Sequence, residues 1–101
     1  MPSVDYKRRL FKDLKNLKYA AGYLTAAFEE GEDVFLLALR DVVQAQLGIR
    51  ALAQVTRLNR ENLYDMLSKK GNPRLKNIAS ILDKLGLQLT FKPKSTRAKA
   101  A

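Results

Sequence analysis

Between Ile49 and Leu67 the chain is patterned as two short helices, about Arg50 to Thr56 and Arg60 to Leu67, with only Arg57, Leu58 and Asn59 between them. Helices of this length are marginal alone in water and draw their stability from packing. The pair must therefore lock together and against a larger helical body. Ala53 falls on the inner face of the first helix, where its small side chain lets the second cross closely. Leu52 and Val55 flank it and are expected in the core. Leu58 can plug the corner, and Leu63 with Met66 or Leu67 gives the second helix a buried stripe. This is the spacing of a helix-turn-helix. Arg57 is its misfit, because a turn there often wants glycine at positive φ, where arginine bears a steric cost.

The remaining sequence supplies the helical body. Asp13 can cap a helix with apolar positions Leu17, Ala20, Ala21, Leu24, Ala27 and Phe28, which Gly31 ends. Asp33 can cap the next, from Val34 to about Leu47, with Phe35, Ala38, Leu39, Val42 and Ala45 on one face and Gly48 as its stop. After the short pair, Asn72 can cap a helix with Pro73 at its first position, presenting Leu75, Ile78, Ala79, Leu82 and Leu85 and ending at Gly86. Leu87, Leu89 and Phe91 then alternate with Gln88 and Thr90, the period of a strand. The expected architecture is all-α, five helices and one short carboxyl-terminal strand. Residues 1–12 read as a basic lead-in with a helical turn around Leu10 and Phe11, 13–92 as the domain, and 93–101 as a disordered basic tail.

A lone strand leaves its backbone edges unsatisfied. Within the chain only the amino-terminal segment could pair with it. Pairing with the same strand of a second copy is the more economical solution and makes a two-fold homodimer through Leu87, Leu89 and Phe91.

Charge narrows the partners. The 101 residues carry 19 Lys plus Arg against 10 Asp plus Glu, a formal net charge of +9. Residues 42–101 hold twelve basic and three acidic groups, whereas residues 29–41 hold five acidic groups and one basic. A basic carboxyl-terminal part suits a nucleic-acid partner. The absence of His and Cys excludes imidazole bases, thiolate nucleophiles, disulfides and Cys/His metal sites. Ser68 has Lys69 nearby but no organised base, and Asp65 on an exposed face is no acid at neutral pH. There is no phosphate-binding GxxxxGK motif and no trustworthy carboxylate pair for a metal. Neither an enzyme nor a cofactor is expected. No apolar run reaches the roughly 20 residues of a membrane span, and no signal peptide is apparent, so a cytoplasmic location is the expectation.

With the apolar stripe turned inward, the second short helix presents Arg60, Glu61, Asn62, Tyr64 and Asp65. Major-groove docking aims Arg60 and Glu61 at base edges, arginine toward guanine and glutamate toward cytosine N4, with Asn62 and Asp65 as further readers. Asn59 can cap this helix, leaving its first turn free to approach a phosphate. Tyr64 is expected to reach a phosphate oxygen, and Arg50, Arg57, Lys69 and Lys70 to hold the sugar-phosphate rails.

The stretch from Glu29 to Leu89 resembles the addiction-module antidote proteins, small helix-turn-helix proteins of the phage-repressor and Cro-like class related to the HigA antitoxins. The resemblance rests on EDVFLLALRDV (32–42), NRENLYDML (59–67), GNP (71–73) and LGLQL (85–89), and extends upstream over YAAGYLTAAFEEG (19–31) to nearly all of residues 5–92. NRENLY followed by GNP at this distance is its most specific part. The likeness implies a bacterial or phage origin, a five-helix λ-repressor-like DNA-binding domain and a neighbouring gene for a small toxin. Toxins of this family resemble mRNA-cutting or gyrase-inhibiting proteins, and the antidote neutralises its toxin while repressing its own operon. By the same likeness Asn59, Arg60, Glu61, Asn62 and Tyr64 fall at the start of the recognition helix, and Asn72 and Pro73 keep a structural role. The family usually places glycine where Arg57 stands.

Glu29, Glu30 and Glu32, with Asp33, are the concentrated negative charge of this basic chain. They form the expected docking patch for a basic toxin, although acids beside helix ends are also ordinary. The rival to a sequence-specific repressor is a toxin-binding module with weak, non-specific nucleic-acid binding. RNA binding is disfavoured because Phe11, Phe28, Phe35 and Phe91 read as internal, leaving no aromatic pair to stack on bases.

Overall fold

The computed structural model describes residues 4–94. Six helices follow one another: α1 (Val4–Leu14), α2 (Leu17–Glu30), α3 (Glu32–Gln46), α4 (Ile49–Thr56), α5 (Arg60–Met66) and α6 (Leu75–Leu85). The all-α class is as expected, with one helix more than the five anticipated. The extra one is α1. Where a basic lead-in with a single turn was expected, Leu10 and Phe11 pack on the core and Leu14 is fully buried, giving an amphipathic helix a face to dock. Asp13 consequently lies inside α1, and the cap of α2 is Asn16, whose side-chain oxygen accepts the Tyr19 N–H at 2.9 Å.

Helix α3 is the centre of the fold, packed by α1, α2 and α4, while α4 also carries α5 and α6. That position explains why α3 buries Leu36 and Val43 beyond the single face its periodicity suggests. Its C-terminus is tied to α1: Gln46 Nε2 donates to the Leu14 carbonyl at 2.8 Å and to that of Lys15 at 3.3 Å. Those carbonyls end a helix and have no intrahelical partner of their own. Asp33 sits within the first turn of α3, which starts one residue earlier, at Glu32, and its carboxylate accepts the Val34 N–H at 2.9 Å.

Three further expectations are corrected. Asn72 and Pro73 remain in the connecting loop and α6 begins at Leu75, because Arg74 is still extended (φ −71°, ψ 149°) and only its carbonyl accepts the first helical bonds. Val55 is 49% exposed, since α4 already fills its contacts with α5 and α6 through Leu52 and its neighbours. Phe28 and Phe91, read as internal, are 58% and 95% exposed.

After α6, Gly86 adopts the left-handed conformation (φ 86°), and the Leu87 N–H returns to the Leu82 carbonyl at 2.8 Å. Leu87 packs on the core. Beyond it no strand forms among the described residues, and residues 88–94 make no backbone hydrogen bond there. The amino-terminal segment that could have paired with a strand is helical instead. The expected tail falls mainly on residues 95–101, outside the described part.

Candidate nucleic-acid interface

Helices α4 and α5 pack on each other across the three-residue connection 57–59. Leu52 and Leu63 are fully buried, and Ala53, Leu58 and Met66 pack against the core at their margin. Leu67 is fully buried and takes the deeper position beside the half-buried Met66. The connection turns at Arg57, with φ 61° and ψ 19°, the one non-glycine residue at positive φ among those described. The Thr56 hydroxyl donates to the Leu52 carbonyl at 2.7 Å and accepts the Leu58 N–H at 3.3 Å, holding the chain as it leaves α4. Asn59 then caps α5: its side-chain oxygen accepts the N–H groups of Glu61 at 2.7 Å and Asn62 at 3.3 Å.

This cap and the buried Leu63 orient the rest of α5. Arg60, Glu61, Asn62 and Asp65 are all exposed. Arg50 at the start of α4, Arg57 in the turn, and Lys69 and Lys70 after α5 are exposed too. None of these charged groups enters an ion pair among the described residues, where the ion pair found is Arg8 with Asp5, 3.7 Å apart. The five basic groups, Arg50, Arg57, Arg60, Lys69 and Lys70, are therefore free to meet a polyanion, with the acids Glu61 and Asp65 set among them. Tyr64 is placed differently from the others: it is half-buried, and the Arg40 guanidinium of α3 lies 5.3 Å from its ring centroid. Its periodicity puts it on the outer face, and only the fold, which brings Arg40 over its ring, reveals this contact.

Behind α5 the chain turns back tightly at Gly71. A Cβ there would overlap the Met66 carbonyl oxygen and come within 2.8 Å of the Asp65 carbonyl oxygen. Glycine is needed for the approach itself, and it fixes where Lys69 and Lys70 stand relative to α5.

The acidic residues of the α2–α3 junction are exposed and border two hollows. Glu29 and Glu32 line an apolar groove between α2, α3, α6 and the segment after α6, whereas Glu30 lines a smaller depression with Tyr23 and Asp41. The Tyr23 hydroxyl donates to Asp41 Oδ2 at 2.9 Å. Burial first, and then this bond to a carboxylate, push the phenol well above its ordinary pKa.

Among the described residues no cluster of three or more acidic residues could hold a metal ion, and no helix is long and apolar enough to cross a membrane. No curated protein and no solved structure matches the chain. One family does, over residues 8–93, which takes in α2 to α6, most of α1 and the whole α4–α5 surface. It is described as "Probable addiction module antidote protein", and the chain belongs to it.

Proposed function

We propose that the chain is an antitoxin that binds its operator as a homodimer, with α4 and α5 forming a helix-turn-helix, and that it represses the operon it shares with a small toxin. The observation that carries this reading is the exposed, unpaired set Arg60, Glu61, Asn62 and Asp65 on a capped helix, framed by Arg50, Arg57, Lys69 and Lys70. Any surface helix carries a polar face, and what suits this one to a duplex is its Asn59 cap and the basic groups that frame it. In the major groove Arg60 reads guanine and Glu61 accepts from cytosine N4, with Asn62 and Asp65 completing the readout. The four basic groups and the Asn59 end of α5 grip phosphates. Tyr64, held under Arg40, acts by setting the tilt of α5, with its hydroxyl still able to reach the backbone of the duplex.

Two copies supply two such helices for a two-fold operator. The segment after Gly86 is suited to join them, because residues 88–94 have open backbone edges and no strand to pair with among the described residues. Family membership supports the antitoxin role. Toxin contact is assigned to the Glu30 side of the acidic α2–α3 junction, where Glu30 lines a depression with Asp41.

Titration of the DNA upstream of the chain's own gene against a scrambled duplex, at physiological salt, tests the reading. Tighter binding to the upstream DNA by roughly a thousandfold or more is expected of specific recognition. Equal, steeply salt-dependent affinities would instead identify a toxin-binding module with only non-specific nucleic-acid affinity.

A further inference from the structure

Eight residues patterned as core are exposed in the single chain, and five of them, Ala21, Phe28, Leu75, Leu89 and Phe91, line one groove of about 690 Å³, while Leu17, Val55 and Ala79 lie outside it. Leu75 is 72% exposed and Phe91 95%. Phe28 is held open toward the groove by its edge-to-face contact with Phe35, ring centroids 5.4 Å apart. Misplaced core residues scattered over a surface would mean little. Gathered around one cavity, they describe a core with its filling missing.

The lip of the groove carries Glu29 and Glu32. An occupant must therefore bring an apolar anchor followed closely by positive charge. The chain contains such a segment: Phe91 is followed by Lys92 and Lys94, all exposed. It cannot fill the groove of its own chain, because residues 87–91 already form one of the walls. We propose that a second copy of the chain fills it. Each subunit lays its Leu89–Lys94 segment across the partner, inserting Phe91 into the groove beside Phe28 and setting Lys92 and Lys94 against Glu29 and Glu32. The arrangement is isologous, so one two-fold axis closes both grooves and leaves no open end for further assembly. It also brings the two unpaired segments alongside each other, where their open backbone groups can pair. The inference rests on the homodimer proposed above and specifies what holds it together. It reserves Glu29 and Glu32 for the partner copy and leaves Glu30 facing away from that interface.

Analytical ultracentrifugation of the full chain in DNA-free buffer over a range of concentrations provides the test. The wild-type chain is expected to be a dimer. Phe91→Asp removes two buried aromatic anchors from the dimer, one in each groove, and should raise its dissociation constant by about a thousandfold, with helical circular dichroism unchanged. E29K/E32K should weaken the dimer, and combining it with K92E/K94E should restore it, which a merely destabilised fold would not do. A monomeric wild-type chain, a dimer indifferent to Phe91→Asp, or a charge swap without rescue would each overturn the proposal. So would a groove that closes only when a different protein, such as the toxin, is added. Because DNA is absent, the outcome is separate from that for operator recognition: a Phe91-dependent dimer that ignores the upstream duplex contradicts only the DNA reading.

Discussion

Arg40 of α3 lies over the ring of Tyr64 in α5, its guanidinium carbon 5.3 Å from the ring centroid. Beside its packing on α4 and the contact of the Asn77 amide of α6 with Met66 Sδ at 3.7 Å, this pair ties the exposed helix to α3. A half-exposed cation–π contact contributes about 0.5–1 kcal/mol. Arg40→Met should lower stability by that amount in urea unfolding, and the loss should largely vanish in a Tyr64→Leu background. If the two substitutions add independently, the contact contributes nothing.

Arg57 bears a conformational cost that glycine would avoid. A residue with a Cβ in the left-handed region is disfavoured by about 1–2 kcal/mol, partly offset in glycine by the entropy it loses on folding. Arg57→Gly is therefore expected to raise stability by about 1 kcal/mol. If Arg57 also grips phosphate, the same substitution weakens binding to every duplex about equally and flattens its salt dependence. A more stable protein with weaker, equally selective DNA binding is the expected combination.

Gly71 should tolerate no side chain. Its Cβ position is occupied by the Met66 carbonyl, a backbone group that cannot rotate away. Gly71→Ala should cost about 2 kcal/mol, in the range of overpacked interiors, and displace Lys69 and Lys70. Gly22 makes an internal control, because a Cβ there meets nothing within 4 Å. Gly22→Ala, in the middle of α2, should stabilise the chain. Thermal unfolding of the two variants checks the contrast.

Tyr23 links stability to alkaline pH. Its phenol is held neutral in the folded chain by burial and by its bond to Asp41, while in the unfolded chain it ionises near pH 10. The folded form therefore binds this proton more tightly, and the contribution is intact below about pH 10 and lost as the pH rises above it. Tyr23→Phe should cost about 1 kcal/mol at neutral pH. The difference between wild type and variant should shrink in more alkaline solution, since lysine ionisation affects both alike. Parallel stability curves from pH 8 to pH 11 would show that the bond has no such role.

Local chemistry made most of the fold legible. Gly31 and Gly86 end their helices where expected, and Asn59 caps α5 with its own side chain. The α4–α5 pair could be read because a small residue, a corner leucine and a buried stripe must recur at fixed spacing whenever two short helices cross. What was not legible depends on neighbours distant in sequence. Leu14 and α1 are fixed by docking against α2 and α3, and the exposure of Val55 is decided by what α4 already touches. Phe28, Leu75 and Phe91 carry the apolar pattern of a core, but the groove they line lies open within one chain. Of the candidate site, the exposed charges followed from the helical period. The position of Tyr64 beneath Arg40 did not, because twenty-three residues separate them in sequence.

Base discrimination by Arg60 is the most direct test of the account. Binding of wild type, Arg60→Ala and Lys69→Ala should be titrated against the upstream duplex and against the same duplex with single guanine substitutions. Arg60→Ala should erase roughly 1–3 kcal/mol of preference at one base pair, while Lys69→Ala should weaken binding to all duplexes alike. If the two variants behave identically, with uniform loss and no change of preference, α5 does not read sequence and the central claim is contradicted.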